Sequence, residues 1–322
     1  MIRSLMSSFR TSIFVIFITF KETIRAIYYH IFTKPKDVTN DIVLITGGGR
    51  GIGRKLALAF AELRPKHIII WGRNETWLKK TKEDICKLNV KSSYYVCDVS
   101  DKNVIYEKAR EIQESVGDVT ILVNNAGSLS GKSIIFLQPY DIESTLKVNT
   151  LAHIWTVKAF LPAMIRNGKG HVVCMSSVLG LLGLKGVCDY ATTKFASTGL
   201  MEGLMLELED YSGINTTIIH PYQVDNGMFA GMTVRFPKLF PALQEDYVTK
   251  ETMTAILTNR KQVTLPTYFY MVLFFRSVLP ISSMLPVQKF LGLDKVMDKF
   301  HWEVPDMAKE GEESSSCDTL VT

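Results

Sequence analysis

The feature that most constrains this chain is the run Thr46-Gly47-Gly48-Gly49-Arg50-Gly51-Ile52-Gly53, set between Ile42-Val43-Leu44-Ile45 and Arg54-Lys55-Leu56-Ala57-Leu58-Ala59-Phe60. The first flank is a short apolar run of the kind that makes a buried parallel strand, and the second is a good helix former. The glycines therefore sit at a strand-to-helix turn. Glycines at 47, 51 and 53 let the backbone turn tightly and approach a pyrophosphate, whose charge is stabilised by the free N–H groups and positive dipole end of the next helix. A glycine-rich loop alone also fits a plain structural turn. The strand before it, the helix after it and a second strand at His67 to Trp71 favour a dinucleotide site.

A site that prefers NAD places Asp or Glu at the end of the second strand. Here that position reads Ile70-Trp71-Gly72-Arg73, without an acid. Arg73 offers a cation for a 2′-phosphate, and Arg50, inside the glycine loop, offers a second. Either arginine alone fits a solvated surface charge; the two together point to NADP(H).

Tyr190 and Lys194 are spaced i, i+4 in Asp189-Tyr-Ala-Thr-Thr-Lys-Phe-Ala-Ser, which puts both on one face of a helix. A free phenol has a pKa near ~10, too high to exchange protons well at neutral pH. A nearby ammonium, with the charge of an oxidised nicotinamide, lowers it toward the working range. Taken alone, such a pair is an ordinary surface face; the nucleotide-binding half upstream makes it a candidate acid/base.

These residues resemble the short-chain dehydrogenases/reductases over about Asp41 to Phe229: the glycine motif, Asp98 in Cys-Asp-Val, the run Asn124-Asn125-Ala126-Gly127, Asn149, Ser177, and Tyr190 with Lys194. The resemblance implies Tyr190 as general acid/base, with Ser177 polarising a carbonyl. It makes Lys194 the residue that holds the nicotinamide ribose and lowers the tyrosine pKa, and gives Asn149 a water-linked proton relay. It further implies cofactor contacts from Thr46, Gly47, Arg50, Gly51, Ile52, Gly53, Arg73, Asp98 and Val99, and from Asn125, Ala126 and Gly127 beside the fourth strand. One departure is local. The family usually shows Pro-Gly with a later Thr for the carboxamide, whereas this chain reads Pro221-Tyr222-Gln223-Val224-Asp225-Asn226, leaving Asn226 as the candidate amide partner.

Alternating strands near 42–46, 67–71, 93–97, 120–124, 171–176 and 215–220, with helices between, predict an α/β fold, a Rossmann-type doubly wound parallel sheet. Helices from Asp141 through Pro162 and from Tyr190 to Glu209 are apolar on one face. The resemblance implies a homodimer built on them, with a hetero-oligomer with a related dehydrogenase as a further option; burial within one chain explains the same pattern.

The 322 residues exceed a Rossmann core of about 250, and the excess lies at the two ends. With 47% hydrophobic and 21% charged residues the chain can build a large core. A net charge of +5 without a dense basic stripe argues against a nucleic-acid binder. The five cysteines and six histidines are scattered, with no CxxC and no metal-ligand spacing, so we expect no metal, reduced thiols and a reducing compartment.

Residues 1–37 read as a membrane anchor. Ile13 to Phe20 is apolar but stops short of the ~20 residues a comfortable span needs, and Ile24, Ile27, Tyr28 and Ile31 continue at amphipathic-helix spacing. A cleaved signal peptide is the alternative, against which no small-residue cleavage site follows. Residues 38–262 form the nucleotide-binding domain, with Phe229 to Tyr247 as a substrate lid. Residues 263–304 are an apolar extension in which Tyr268 to Phe275 either closes the pocket or makes a second membrane contact, and 305–322 read as a flexible tail.

Within the family, Trp71-Gly72-Arg73, Lys158-Ala159-Phe160-Leu161-Pro162 and Val234-Arg235-Phe236-Pro237-Lys238-Leu239-Phe240-Pro241 resemble the membrane-associated retinoid and steroid branch. That resemblance implies NADPH-dependent reduction of a lipophilic carbonyl, all-trans-retinal first, at an endoplasmic-reticulum or lipid-droplet surface with the catalytic domain in the cytosol. The alternatives are a 17-beta-hydroxysteroid or long-chain alcohol dehydrogenase and, from another class, a nucleotide-binding scaffold that activates a partner enzyme.

Overall fold

A computed structural model describes residues 17, 18, 20, 21, 33–298 and 300. Most of the expected N-terminal anchor, and the expected tail from 305, therefore lie outside the described residues. No described helix is long and apolar enough to cross a membrane.

The strands are β1 (Ile42–Thr46), β2 (His67–Gly72), β3 (Ser92–Val96), β4 (Ile121–Asn124), β5 (Gly170–Met175), β6 (Ile214–Pro221) and β7 (Gln262–Leu265). They form one sheet in the order β3-β2-β1-β4-β5-β6-β7, every pair parallel. Six of them coincide with the expected strands. The seventh, Gln262-Val-Thr-Leu, is too short to carry a period, and it runs across the expected boundary at 262/263.

The helices are α1 (Gly51–Glu62), α2 (Glu75–Lys87), α3 (Lys102–Ser115), α4 (Pro139–Leu146), α5 (Ala152–Arg166), α6 (Cys188–Glu207), α7 (Glu245–Leu257), α8 (Phe269–Val278) and α9 (Ile281–Phe290). Local chemistry sets several starts: Asn74 caps α2 by accepting from the Trp77 N–H, Asp101 caps α3, and Gln138 with Asp141 makes a reciprocal capping box around Pro139 at the head of α4.

β1 is buried throughout, yet its side chains still alternate between two cores. Ile42 and Leu44 join Ile105, Phe160, Met164 and Met201 under α3, α5 and α6. Val43 and Ile45 join Leu56, Phe60, Leu78 and Ile256 under α1, α2 and α7. Helices thus cover both faces. β1 pairs with both β2 and β4, so the order reverses there and a crevice opens beyond the carboxyl ends of these strands, the usual ligand position in such sheets.

Candidate active site

The glycine loop leaves β1 at that crevice. Gly47 and Gly51 have φ of +68° and +54°, in the left-handed region that disfavours a side chain. At Gly53 a Cβ would run into the Gly47 carbonyl and the Asn125 amide, so only hydrogen fits. Thr46 ties the loop to the fourth strand: its hydroxyl accepts from the N–H groups of Asn125 and Ala126, both at 3.0 Å, while the Asn125 side chain donates to the Thr46 carbonyl at 3.0 Å. Ile52 is half-buried against the core, and Arg50 is the cap residue of α1 without a side-chain cap bond, leaving the first-turn N–H groups for an anion.

A cavity of about 340 Å³ lies on this loop, lined by Gly49, Arg50, Gly51, Arg54, Trp77 and Lys80. The Arg50 guanidinium sits 4.7 Å from the Trp77 ring centroid, a cation–π contact that fixes its direction. Thr81 donates to the Gly49 carbonyl at 3.2 Å. Arg73 is exposed one residue beyond β2. Asp98 caps its own turn by accepting from the Ser100 N–H, and Val99 is buried. A larger cleft of about 510 Å³ lies between α3 and α5, and none of the expected site residues lines it.

The catalytic candidates converge at the ends of β5 and α6. Ser177 follows β5 and accepts from the Leu179 N–H at 3.1 Å. Tyr190 and Lys194 lie on the first turns of α6, and all three side chains are buried. The Lys194 ammonium donates to the Met175 carbonyl at 2.8 Å and stands 5.5 Å from the Tyr190 ring centroid. Burial pulls the Lys194 pKa down to about 8. Burial pushes the Tyr190 phenol above its ordinary value, and the Ser177 hydroxyl opposes that rise.

Asn149 reaches this group through a π turn, Lys147–Leu151, which joins α4 to α5 without a break. Its Oδ1 accepts from the Ser128 N–H at 2.7 Å, and its Nδ2 donates to the Ser128 carbonyl at 2.8 Å and the Thr193 hydroxyl at 3.0 Å. The expected single helix from Asp141 is thus interrupted at the residue with a candidate role, where such extra-residue turns often occur. Gly127 lies between: a Cβ there would be 3.4 Å from Asn149 Oδ1 and 3.9 Å from Lys194 Nζ.

The remaining wall is apolar. Phe229 meets the Tyr190 ring edge-on at 6.4 Å, Tyr222 packs on Phe269 at 5.0 Å, and Val272 and Met297 join the same cluster. Asn226 has a buried Oδ1 that lacks a protein partner. An unsatisfied acceptor of this kind fits an amide donor from a nicotinamide ring. The residues present therefore fit a nicotinamide dinucleotide at both ends, at the glycine cradle and at Asn226.

Sequence reasoning missed several contributors. Trp77 and Lys80 follow Arg73 on α2 and share the Arg50 cavity; their spacing from Arg73 was a usable signal. His220 was not singled out, although its Nδ1 faces the Ser177 carbonyl at 3.0 Å and so carries the proton, leaving Nε2 to accept from Gln262 at 3.2 Å. Burial holds His220 down to about 4, so it stays neutral and anchors the Ser177 backbone.

Comparisons agree with this geometry. The short chain dehydrogenase family model matches residues 41–234. The bovine (Bos taurus) protein named short-chain dehydrogenase/reductase 3 is 41% identical over 245 residues, covering 76% of this chain and 81% of that protein. Human (Homo sapiens) epidermal retinol dehydrogenase 2 is 38% identical over 285 residues, covering 86% and 91%. The crystal structure of a short chain dehydrogenase/reductase from Burkholderia phymatum in complex with NAD shares the fold at 23% identity, with a TM-score of 0.68 over 79% of this chain and 96% of that one. The chain belongs to the short-chain dehydrogenase family, as a nicotinamide-dependent oxidoreductase related to retinol dehydrogenases.

Proposed function

We propose that the chain reduces a lipophilic carbonyl with NADPH, all-trans-retinal first among candidates, giving the alcohol. The observation that carries this reading is the apolar wall of Phe229, Tyr222, Phe269, Val272 and Met297 set against a buried Tyr190. Bound NADPH supplies the hydride. Ser177 orients the carbonyl oxygen, Tyr190 donates a proton to it, and the Lys194 ammonium returns a proton to the phenolate, itself re-protonated from solvent through a water chain that Asn149 supports. Arg50 and Arg73 favour a 2′-phosphate, and no acid stands at the end of β2 to repel it. The relation to a protein named a retinol dehydrogenase supports the substrate class.

The same reading places the protein on endoplasmic-reticulum or lipid-droplet membranes, through residues 1–37 and the exposed side of α8, with the catalytic domain in the cytosol. Exposed Phe195 and Leu206 on α6 support self-association as a homodimer, with a related dehydrogenase as an alternative partner, and the mass of the detergent-solubilised protein tests it.

Initial rates of all-trans-retinal reduction by the full-length protein in microsomes, NADPH against NADH, beside Tyr190→Phe, test the function. NADPH-dependent retinol formation that the variant loses is expected. Turnover of a 17-ketosteroid in place of retinal would move the substrate assignment, and equal rates with NADH would remove the cofactor preference.

A further inference from the structure

Asp189, the residue before Tyr190, is an acid in the first turn of α6 that the chemistry above does not use, and it is buried, at 7% exposure. Its Oδ2 accepts from the Ser130 hydroxyl at 2.5 Å, and among the described residues no cation pairs with it. Its Oδ1 has no partner among them at all. The helix dipole eases a carboxylate at this position, but a buried oxygen of this kind still needs a donor. A second buried atom in the same state stands nearby in the chain that Ser130 belongs to, the Ser128 hydroxyl.

These two orphans belong to one polar strip between the loop after β4 and α6. Thr193 follows Asp189 at i+4, so both lie on the same face of the helix. Asn149 Nδ2 donates to the Thr193 hydroxyl at 3.0 Å and to the Ser128 carbonyl at 2.8 Å, while its Oδ1 accepts from the Ser128 N–H. Ser130, two residues along the loop, closes the strip on Asp189. The inner end comes to Lys194. The point a Cβ would take on Gly127 is 3.4 Å from Asn149 Oδ1 and 3.9 Å from Lys194 Nζ, and glycine keeps that point clear of side chain. At the outer end Phe300 packs on Gly131 and Met297 on Gly186, so the C-terminal segment flanks the acid. Water is the partner that fits both orphans, since it donates to the carboxylate while bonding a hydroxyl.

We propose that Asp189 is a positioning residue for proton delivery, which with Ser128 and Ser130 holds the outermost water of the chain that Asn149 supports. This rests on the reduction reading above. In each turnover Tyr190 gives its proton to the product oxygen, Lys194 returns one to the phenolate, and the water chain restores Lys194 with one proton drawn from solvent past Asp189. One proton thus enters for each hydride transferred, and the carboxylate ends the cycle as it began. Ser130 fixes one carboxylate oxygen, which leaves the other for the water.

Rates of retinal reduction by the full-length protein in microsomes, in H2O and in D2O, read this role. Asp189→Asn keeps the size of the side chain and an acceptor for Ser130, but turns the open acceptor into a donor. It should lower kcat roughly tenfold, raise the solvent isotope effect on kcat and leave KM for NADPH unchanged, and added imidazole should restore part of the rate. Ser128→Ala spares the backbone bonds to Asn149 and should act in the same direction. The double variant should be no slower than Asp189→Asn, because the two side chains hold one water. A lower kcat with the isotope effect unchanged and no rescue marks a merely structural role and overturns the proposal; so do an unchanged kcat and additive losses in the double variant. Should Asp189→Asn fail to fold, Ser128→Ala is judged by the same isotope effect and rescue. A crystal structure of the full-length protein with NADPH should show a water within hydrogen-bond distance of Asp189 Oδ1 and Ser128 Oγ, and a dry site overturns the proposal whatever the rates. Wild-type protein that binds NADPH but reduces no carbonyl defeats the reduction reading, whereas a result confined to the variants bears on Asp189 alone.

Discussion

Burial sets the chemistry of Lys194 and Tyr190 in opposite directions. The lysine, drawn down to about 8, begins to lose its proton just above neutral pH, while the phenol keeps its proton well past that point. If the ammonium is needed to restore the tyrosine proton, kcat/KM should fall as pH rises through about 8, a limb belonging to the free enzyme. Stability should move the other way. In the unfolded chain Lys194 holds its proton up to its ordinary 10.5, so between about 8 and 10.5 the unfolded state binds more protons and this group adds stability as pH rises. Urea midpoints at pH 8 and 9.5, wild type against Lys194→Met, isolate that contribution; Lys36 shifts the same way but is common to both proteins. At the cofactor end, Arg50→Gln removes a guanidinium already aimed by Trp77. A lost charge-assisted hydrogen bond is worth about 1.5–3 kcal/mol, so KM for NADPH should rise about tenfold or more, with KM for NADH nearly unchanged in the same assay.

At the scale of elements, the π turn is where the helix from Pro139 yields regularity to function. The extra residue in Lys147–Leu151 turns Asn149 inward, and three hydrogen bonds to Ser128 and Thr193 hold the β4 loop against α6. Asn149→Ala leaves the half-buried Ser128 N–H and carbonyl without those partners. It should lower stability by about 1–3 kcal/mol, read as a lower urea midpoint, and weaken turnover. None of this was visible in sequence, because a one-residue insertion does not disturb the apolar stripe that packs α5 on the sheet. The strands were legible for the opposite reason: runs such as Ile68-Ile-Ile-Trp71 are buried on both faces and read as unbroken apolar stretches. β7 escaped because Gln262-Val-Thr-Leu has only three buried residues and pairs on one side, with β6. The site residues divide in the same way. Gly53, Tyr190 and Lys194 lie at fixed spacing along the chain, whereas His220 reaches Ser177 only through the neighbouring register of β5 and β6.

On the scale of the whole molecule, the segment after β6 and the C-terminal segment are one unit. The Thr233 N–H donates to the Val296 carbonyl at 3.1 Å, and the Arg235 guanidinium lies 5.3 Å from the rings of both Phe236 and Phe290 while donating to the Phe290 carbonyl at 2.8 Å. Beyond α9, Met297 packs on Gly186 and on the cluster around Tyr190, and Phe300 packs on Gly131. These two side chains fill space that any Cβ at the facing glycines would take, so the wall is shaped from both sides. Met297→Ala and Phe300→Ala should open this wall while keeping Tyr190, Ser177 and the glycine loop themselves unchanged. The ratio of kcat/KM for a 17-ketosteroid to that for all-trans-retinal should then rise by roughly tenfold, the scale on which a few methylenes discriminate in an apolar pocket. Parallel loss of activity on both substrates would mean instead that the segment supports the lid as a whole, and an unchanged ratio with unchanged rates would remove it from the pocket wall. The Tyr190→Phe background should abolish turnover of either substrate, because the proton comes from the tyrosine whatever the wall admits.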